Sequence, residues 1–212
     1  MKVQLKMFWP CDGEGRQEAE ELVRQTFAQT HGAKIQHFHE MLLSMSDSGK
    51  SCGVIGATWG GERFFLEIYA DEPIEKLLSR RICLDVPRRS LAEIGNLVAT
   101  SIGGGRLMVA AIAVFLAAAG FEWCVFTGTR LVRATLGKFS DEILHLHDAP
   151  LSRLSEEARQ DWGTYYDHSP QVNAAYLPAF VRFVRHQGFF AEFPEIEDQA
   201  RQLGQSCREP SR

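Results

Sequence analysis

Residues 91–139 read LAEIGNLVATSIGGGRLMVAAIAVFLAAAGFEWCVFTGTRLVRATLGKF, and this stretch decides the fold. It predicts an apolar strand over Leu91–Ala99, a turn holding Gly103, Gly104 and Gly105, an apolar helix, a second strand and a second helix. The glycines fall where a strand hands over to a helix N-terminus. Backbone N–H groups at such a turn point outward, with the positive end of the helix dipole behind them. That makes an anion site suited to phosphate. Arg106 adds a fixed positive charge beside it. The plainer alternative is a helix-start turn with an exposed arginine.

Upstream, Val3–Phe8 alternates apolar and polar residues, as a strand does, and Pro10, Gly13 and Gly15 end it. Ala19, Leu22, Val23 and Phe27 then recur at helical spacing, with Glu14, Glu18, Glu20 and Glu21 toward the start, where acids suit the dipole. His31-Gly32 closes that helix. His39–Ser46 and Cys52–Trp59, joined by a DSGK turn, predict an antiparallel hairpin. Phe64–Tyr69 fits a strand or a helix. Pro73 opens a helix with Ile74, Leu77 and Leu78 on its apolar side, and Pro87, Arg88 and Arg89 connect into Leu91.

Downstream, Glu142–His147 predicts a short strand, Leu151–Arg159 a short helix, DWGTYYDHSP an aromatic loop, Val172–Tyr176 a last strand and Leu177–His186 a helix. The tail from Glu195 is polar, helical at best, and fraying. The order predicts one domain over residues 1–212, an α/β (α+β) fold. Its central sheet is mixed and mainly antiparallel, flanked by helices on both faces, with a C-terminal helical extension over about 177–212.

The chain of 212 residues is 45% hydrophobic and 24% charged. That is the balance of a globular protein with a sizeable core. A formal charge of −4 argues against a general nucleic-acid binder. Five cysteines, widely spaced and without a CxxC pair, argue against a zinc site or disulfide framework and fit a reducing cytoplasm. Cys52 and Cys124 lie in apolar runs and are expected to be buried. The N-terminal residues lack the apolar core of a signal peptide. The run Leu107–Phe121 is too short for a membrane span, so a buried helix is expected.

Several motifs together resemble those of the thermostable hemolysin family. They are Glu93-Ile94-Gly95-Asn96-Leu97-Val98-Ala99, Gly104-Gly105-Arg106, Gly120-Phe121-Glu122-Trp123, Val125-Phe126-Thr127 and Asp161-Trp162-Gly163-Thr164-Tyr165-Tyr166. The resemblance covers about residues 20–176. One departure is GKFSDEI at 137–143, where that family has a leucine- and proline-containing turn. The element order resembles the GNAT superfamily of N-acyltransferases, and the central strand is similar to that of acyl-homoserine lactone synthases. Thr100 stands where the GNAT signature carries a Gln or Arg before its glycines.

The resemblance implies a GNAT-like core whose central strand splays from its neighbour to admit an acyl thioester. Gly103, Gly104, Gly105 and Arg106 would hold the pyrophosphate. Backbone groups of Leu97, Val98 and Ala99 would meet the pantetheine arm and the thioester carbonyl. No permanently bound cofactor is implied: acyl-CoA or an acyl-carrier protein would serve as co-substrate, with a small amine as acceptor. A homodimer stays open.

Glu93 stands in an otherwise apolar strand. A carboxylate there is either a general base with a raised pKa or the partner of Arg88, Arg89 or another hydrogen-bond donor. Asn96 aligns an acceptor or caps a bulge. Tyr165 and Tyr166, beside Asp161 and Trp162, offer a general acid for the leaving thiolate or form a packed rim. His145, His147 and Asp148, like His37 and His39, show no third ligand, and no metal is expected. Three functions remain: an acyltransferase, a membrane-active hemolysin, and a non-catalytic acyl-CoA-binding domain.

Overall fold

The computed structural model describes residues 3–101, 103–130, 132–133 and 143–207. Its strands are β1 (Val3–Phe8), β2 (Met41–Asp47), β3 (Lys50–Thr58), β4 (Leu91–Ala99), β5 (Trp123–Gly128), β6 (Ile143–Asp148) and β7 (Gln171–Tyr176). Its longer helices are α1 (Gly13–His31), α2 (Ile74–Ile82), α3 (Gly104–Ala119), α4 (Glu156–Asp161), α5 (Leu177–His186) and α6 (Pro194–Ser206). The strands form a seven-stranded sheet in the order β1-β2-β3-β4-β5-β7-β6. β4 and β5 run parallel, and the other neighbouring pairs are antiparallel. A parallel pair cannot be closed by a tight hairpin. α3 supplies the crossover, entered through Gly103 (φ 81°) and left through Gly120 (φ 98°). Both are left-handed positions that glycine occupies without strain.

The β2–β3 hairpin turns on Ser48 and Gly49, both at positive φ, as a tight two-residue turn requires. Phe65–Tyr69, which in sequence fits strand or helix, is a 3₁₀ segment. The segment 151–159 breaks into a 3₁₀ turn at Leu151–Arg153 followed by α4. Cys52 is half-buried rather than buried, because it sits near the hairpin end of β3. The expected second helix over 130–139 falls mostly outside the described residues. Arg130, Val132 and Arg133 are helical.

One face of the sheet carries α3, α5 and α6 over a continuous core that includes Met41, Ile55, Ala92, Cys124 and Phe126. Ten residues of α3 are buried, five of them from the run Ala110–Val114. This helix is therefore apolar nearly all round. α6 is no fraying tail. Ile196, Ala200 and Gly204 are buried at a spacing of four, and Gly204 lies directly on the backbone of Phe115 in α3. Gln199 also ties α6 to the first strand: its Oε1 accepts the Leu5 N–H at 2.7 Å.

On the opposite face the core is divided. One cluster joins α1 to β2, β3 and Val98. A second joins Phe64, Leu66, Tyr69 and α2 to Leu91, Trp123 and Val125. Trp162 packs against both clusters, and the space between them is where the site lies.

Candidate active site

β4 and β5 pair only from Leu91–Ile94 to Trp123–Phe126. Beyond that point β4 continues along β3, and β5 along β7. The two strands therefore part in a V, and one edge of β4 from Gly95 onward is released from the parallel ladder. A bulge at Asn96, whose φ is 50°, bends β4 at the same place. Bending and local twist are what a bulge imposes on a strand. Asn96 tolerates the left-handed region better than most residues. Its Oδ1 accepts the His39 N–H at 3.0 Å, which fixes the bulge.

A chamber of about 950 Å³ opens at this fork. Its size is at the upper end of the range for small-molecule sites. Its lining comes from both sides of the sheet. Ile112, Ala113, Leu116, Cys124, Phe126 and Phe180 make an apolar half on the α3–α5 side. Glu93, Tyr69, Tyr165, His39, Thr127 and Trp162 make a polar half on the other. Strand alternation explains the division: Glu93 and Thr127 point opposite to Ile94 and Phe126.

Glu93 is almost fully buried, at 4% exposure. It does not pair with Arg88. Its Oε2 accepts the Phe65 N–H at 2.7 Å and its Oε1 the Leu66 N–H at 3.1 Å, so it caps the 3₁₀ segment across the site. Burial pushes its pKa up to about 7, although those two amides pull the other way. Arg88 instead holds Glu67 at 2.7 Å and Glu75 at 2.8 Å. Burial disfavours the Glu67 carboxylate, but Arg88 and the amides of Ile74 and Phe64 outweigh it, and its pKa falls. Two buried acids on neighbouring elements thus carry opposite shifts. Divergent pairs of that kind are a mark of functional sites.

Tyr165 lines the chamber and donates to the Thr127 carbonyl oxygen at 3.4 Å. Tyr166 stands behind it, with its hydroxyl on that of Tyr69. Burial raises the pKa of all three phenols, and the Tyr69–Tyr166 contact raises Tyr69 further. Asn96 and Leu97 are also in the chamber lining. Val98 turns into the α1 cluster, and Ala99 leads to the glycine turn.

In that turn, Gly104 N–H donates to the Ser101 carbonyl and Arg106 N–H to that of Gly103, each at 3.1 Å. Those two amides are committed within the turn. Gly103 and Gly105 face open space where a side chain would begin, whereas a Cβ at Gly104 would meet Ser101 Oγ at 2.6 Å. The Arg106 guanidinium lies 4.8 Å over the Phe189 ring.

In the sequence His39 reads only as a possible metal ligand, and Tyr69 and the amides of Phe65 and Leu66 carry no local mark. The signal for His39 is a pair of glycines inside strands, Gly56 and Gly95, which marks a close approach by another group. His145 and His147 straddle a bulge in β6, and His145 bonds Asp148 at 3.2 Å. Among the described residues no three His, Cys, Asp or Glu side chains stand together as a metal site.

Residues 11–180 match the thermostable hemolysin family. The chain belongs to that family. No curated protein matches it by sequence. Among solved structures it is similar to the N-acyl amino acid synthase FeeM from uncultured soil microbes, with a TM-score of 0.59 at 14% identity, covering 91% of this chain and 99% of that one. It is also similar to the acyl-homoserine lactone synthase LasI, with a TM-score of 0.56 at 11% identity, covering 83% and 90%. A CoA-dependent acyl-homoserine lactone synthase, BjaI, solved with SAM and isopentyl-CoA, gives 0.59 at 9% identity, covering 88% and 90%. At these identities the likeness establishes a shared GNAT-like fold, in a family whose name speaks of lysis. Among the described residues no helix is long and apolar enough to cross a membrane.

Proposed function

We propose that this protein transfers an acyl group from a CoA or acyl-carrier-protein thioester to a small amine. The observation that carries the proposal is the fork between β4 and β5, opening into a chamber with one apolar and one polar half. A slender pantetheine arm fits between parted strands. An acyl chain fits the apolar half, and an amine fits the polar half beside Glu93. The glycine turn at the head of α3 would meet the donor's phosphates, with the dipole and Arg106 behind them.

The amine nitrogen attacks the thioester carbonyl carbon. The C–N bond forms, the C–S bond breaks, and the electron pair leaves on sulfur as a thiolate. The proton lost from nitrogen passes to Glu93, directly or through one water. A carboxylate with a pKa of about 7 is well matched to that task at neutral pH. Of Tyr165 and Tyr166, Tyr165 would serve as a hydrogen-bond donor in the chamber, and Tyr166, its hydroxyl on that of Tyr69, would support it from behind. Burial raises their pKa, which keeps the hydroxyls protonated and makes them poor sources of a proton for a thiolate.

Calorimetry with CoA, with acyl-CoAs of increasing chain length and with acyl-carrier protein tests the proposal. Binding is expected and should be lost in Gly105→Glu and Arg106→Glu. Position 105 opens onto free space, so the first change adds charge without a clash. A protein that binds no thioester in any of these forms, and instead releases dye from liposomes, would return the hemolysin function.

A further inference from the structure

His39 is held by more fixed contacts than a loop histidine needs. It lies between α1 and β2, with no regular secondary structure of its own. Its N–H donates to Asn96 Oδ1 at 3.0 Å, and its carbonyl accepts from Arg16 Nη2 at 2.8 Å. Arg16, 5% exposed, also donates to the Glu40 carbonyl at 2.9 Å and pairs with Glu20 at 2.8 Å. Burying a guanidinium is unfavourable unless its hydrogen bonds are filled, and here two of its four fix neighbouring residues of one loop. The imidazole lies across two strands. A Cβ at Gly95 would collide with its Nε2, and one at Gly56 would come within 2.8 Å of its Cβ.

The surrounding hydrogen bonds accommodate the tautomer with its ring proton on Nε2. Nδ1 is 3.0 Å from Thr58 Oγ1, and that oxygen already accepts the Glu40 N–H at 3.1 Å. In that tautomer Nδ1 accepts the Thr58 hydroxyl proton, while the same oxygen accepts from Glu40. The ring proton is then on Nε2, over Gly95, where β4 leaves the β5 ladder and enters the chamber lining. Burial, reinforced by Arg16, lowers the His39 pKa to about 4, so the ring is neutral at ordinary pH.

We propose that His39 is a catalytic hydrogen-bond donor, its Nε2–H directed at the carbonyl oxygen of the acyl thioester seated in the fork. The proposal rests on the acyl-transfer function above. As the amine attacks, negative charge gathers on that oxygen, and a fixed donor stabilises it more than it stabilises the resting thioester. His39 transfers no proton. The amine proton still goes to Glu93, and the thiolate still leaves on sulfur.

Nitrogen NMR of the imidazole tests the tautomer in the unmodified protein. The expected ring carries its proton on Nε2, with a resonance that moves on addition of acyl-CoA. A proton on Nδ1 would overturn the proposal. Kinetics supply the second arm. His39→Gln places an amide N–H near the lost Nε2–H, whereas His39→Asn reaches only as far as Nδ1. The Gln variant should keep kcat within about tenfold, and the Asn variant should lose roughly 100-fold or more at little change in KM, the scale of an oxyanion donor. Equal losses in both, or a change confined to KM, would refute the donor role while leaving acyl transfer intact. A wild-type protein that binds no acyl thioester removes both proposals. Unfolding midpoints for each variant separate lost chemistry from lost fold.

Discussion

Glu93 is a buried acid whose carboxylate accepts from two amides of the opposite segment. Among the described residues no cation pairs with it. Its ionisation therefore answers chiefly to burial, and its pKa is carried to about 7. If it accepts the amine proton, kcat/KM should rise with pH and level off above about 7. Glu93→Gln keeps one of the two acceptors, loses the other to an NH₂ group, and cannot take a proton. It should lose about 100-fold or more in kcat and flatten that rise, as measured by thiol release across roughly pH 5.5–8.5. A variant that retains the rising limb would assign the proton to another group.

The elements divide the work more sharply. α3 with α5 builds the apolar half of the chamber, and Ala113 is a small residue in that lining. Each buried methylene contributes about 0.8 kcal/mol, so acyl-CoA affinity should climb roughly fourfold per CH₂ until the chamber is full. Ala113→Phe should cut that climb short and shift preference to shorter chains, read by calorimetry across an acyl series. α6 acts on the same helix from its outer side. Gly204→Ala gains about 1 kcal/mol of helix propensity. Its methyl would nevertheless strike the Phe115 carbonyl oxygen. Overpacking against backbone outweighs the gain, and a net loss of about 2 kcal/mol is expected in urea unfolding.

The same elements show why some features are readable in the sequence. The periodicity of α1 and α5 and the glycine turn before α3 are local signals, and they place those elements closely. The fork is reached only through resemblance, because nothing within Leu91–Ala99 says where a partner strand stops. α6 looks weaker in sequence than it is, because three small or apolar residues at a spacing of four carry its packing among many polar ones. Glu93 is legible as a misfit acid, but its partners are amides 27 and 28 residues away, which no spacing rule supplies. His39 is hidden for the same reason: only Gly56 and Gly95 hint that something lies over them.

At the scale of the whole molecule, the two groups that face the fork oppose each other in acid. The folded His39 has a depressed pKa, so its contribution to stability is complete above about 6.5 and is lost as pH falls toward about 4. The folded Glu93 has a raised pKa, so its contribution is complete below about 4.5 and is lost as pH rises through about 7. Each change is worth on the order of 2–3 kcal/mol between about pH 6.5 and 4.5, with opposite sign. These two changes offset each other in the wild-type protein, which leaves its slope in that interval to other groups such as His31, whose pKa burial also lowers. Glu93→Gln removes one of the opposing terms, and its unfolding free energy should fall by about 2 kcal/mol more than that of the wild type as pH drops from about 6.5 to 4.5. Urea titrations at several pH values measure this directly. A Glu93→Gln profile parallel to that of the wild type would mean that burial does not raise Glu93, and the general base would have to be sought elsewhere in the chamber.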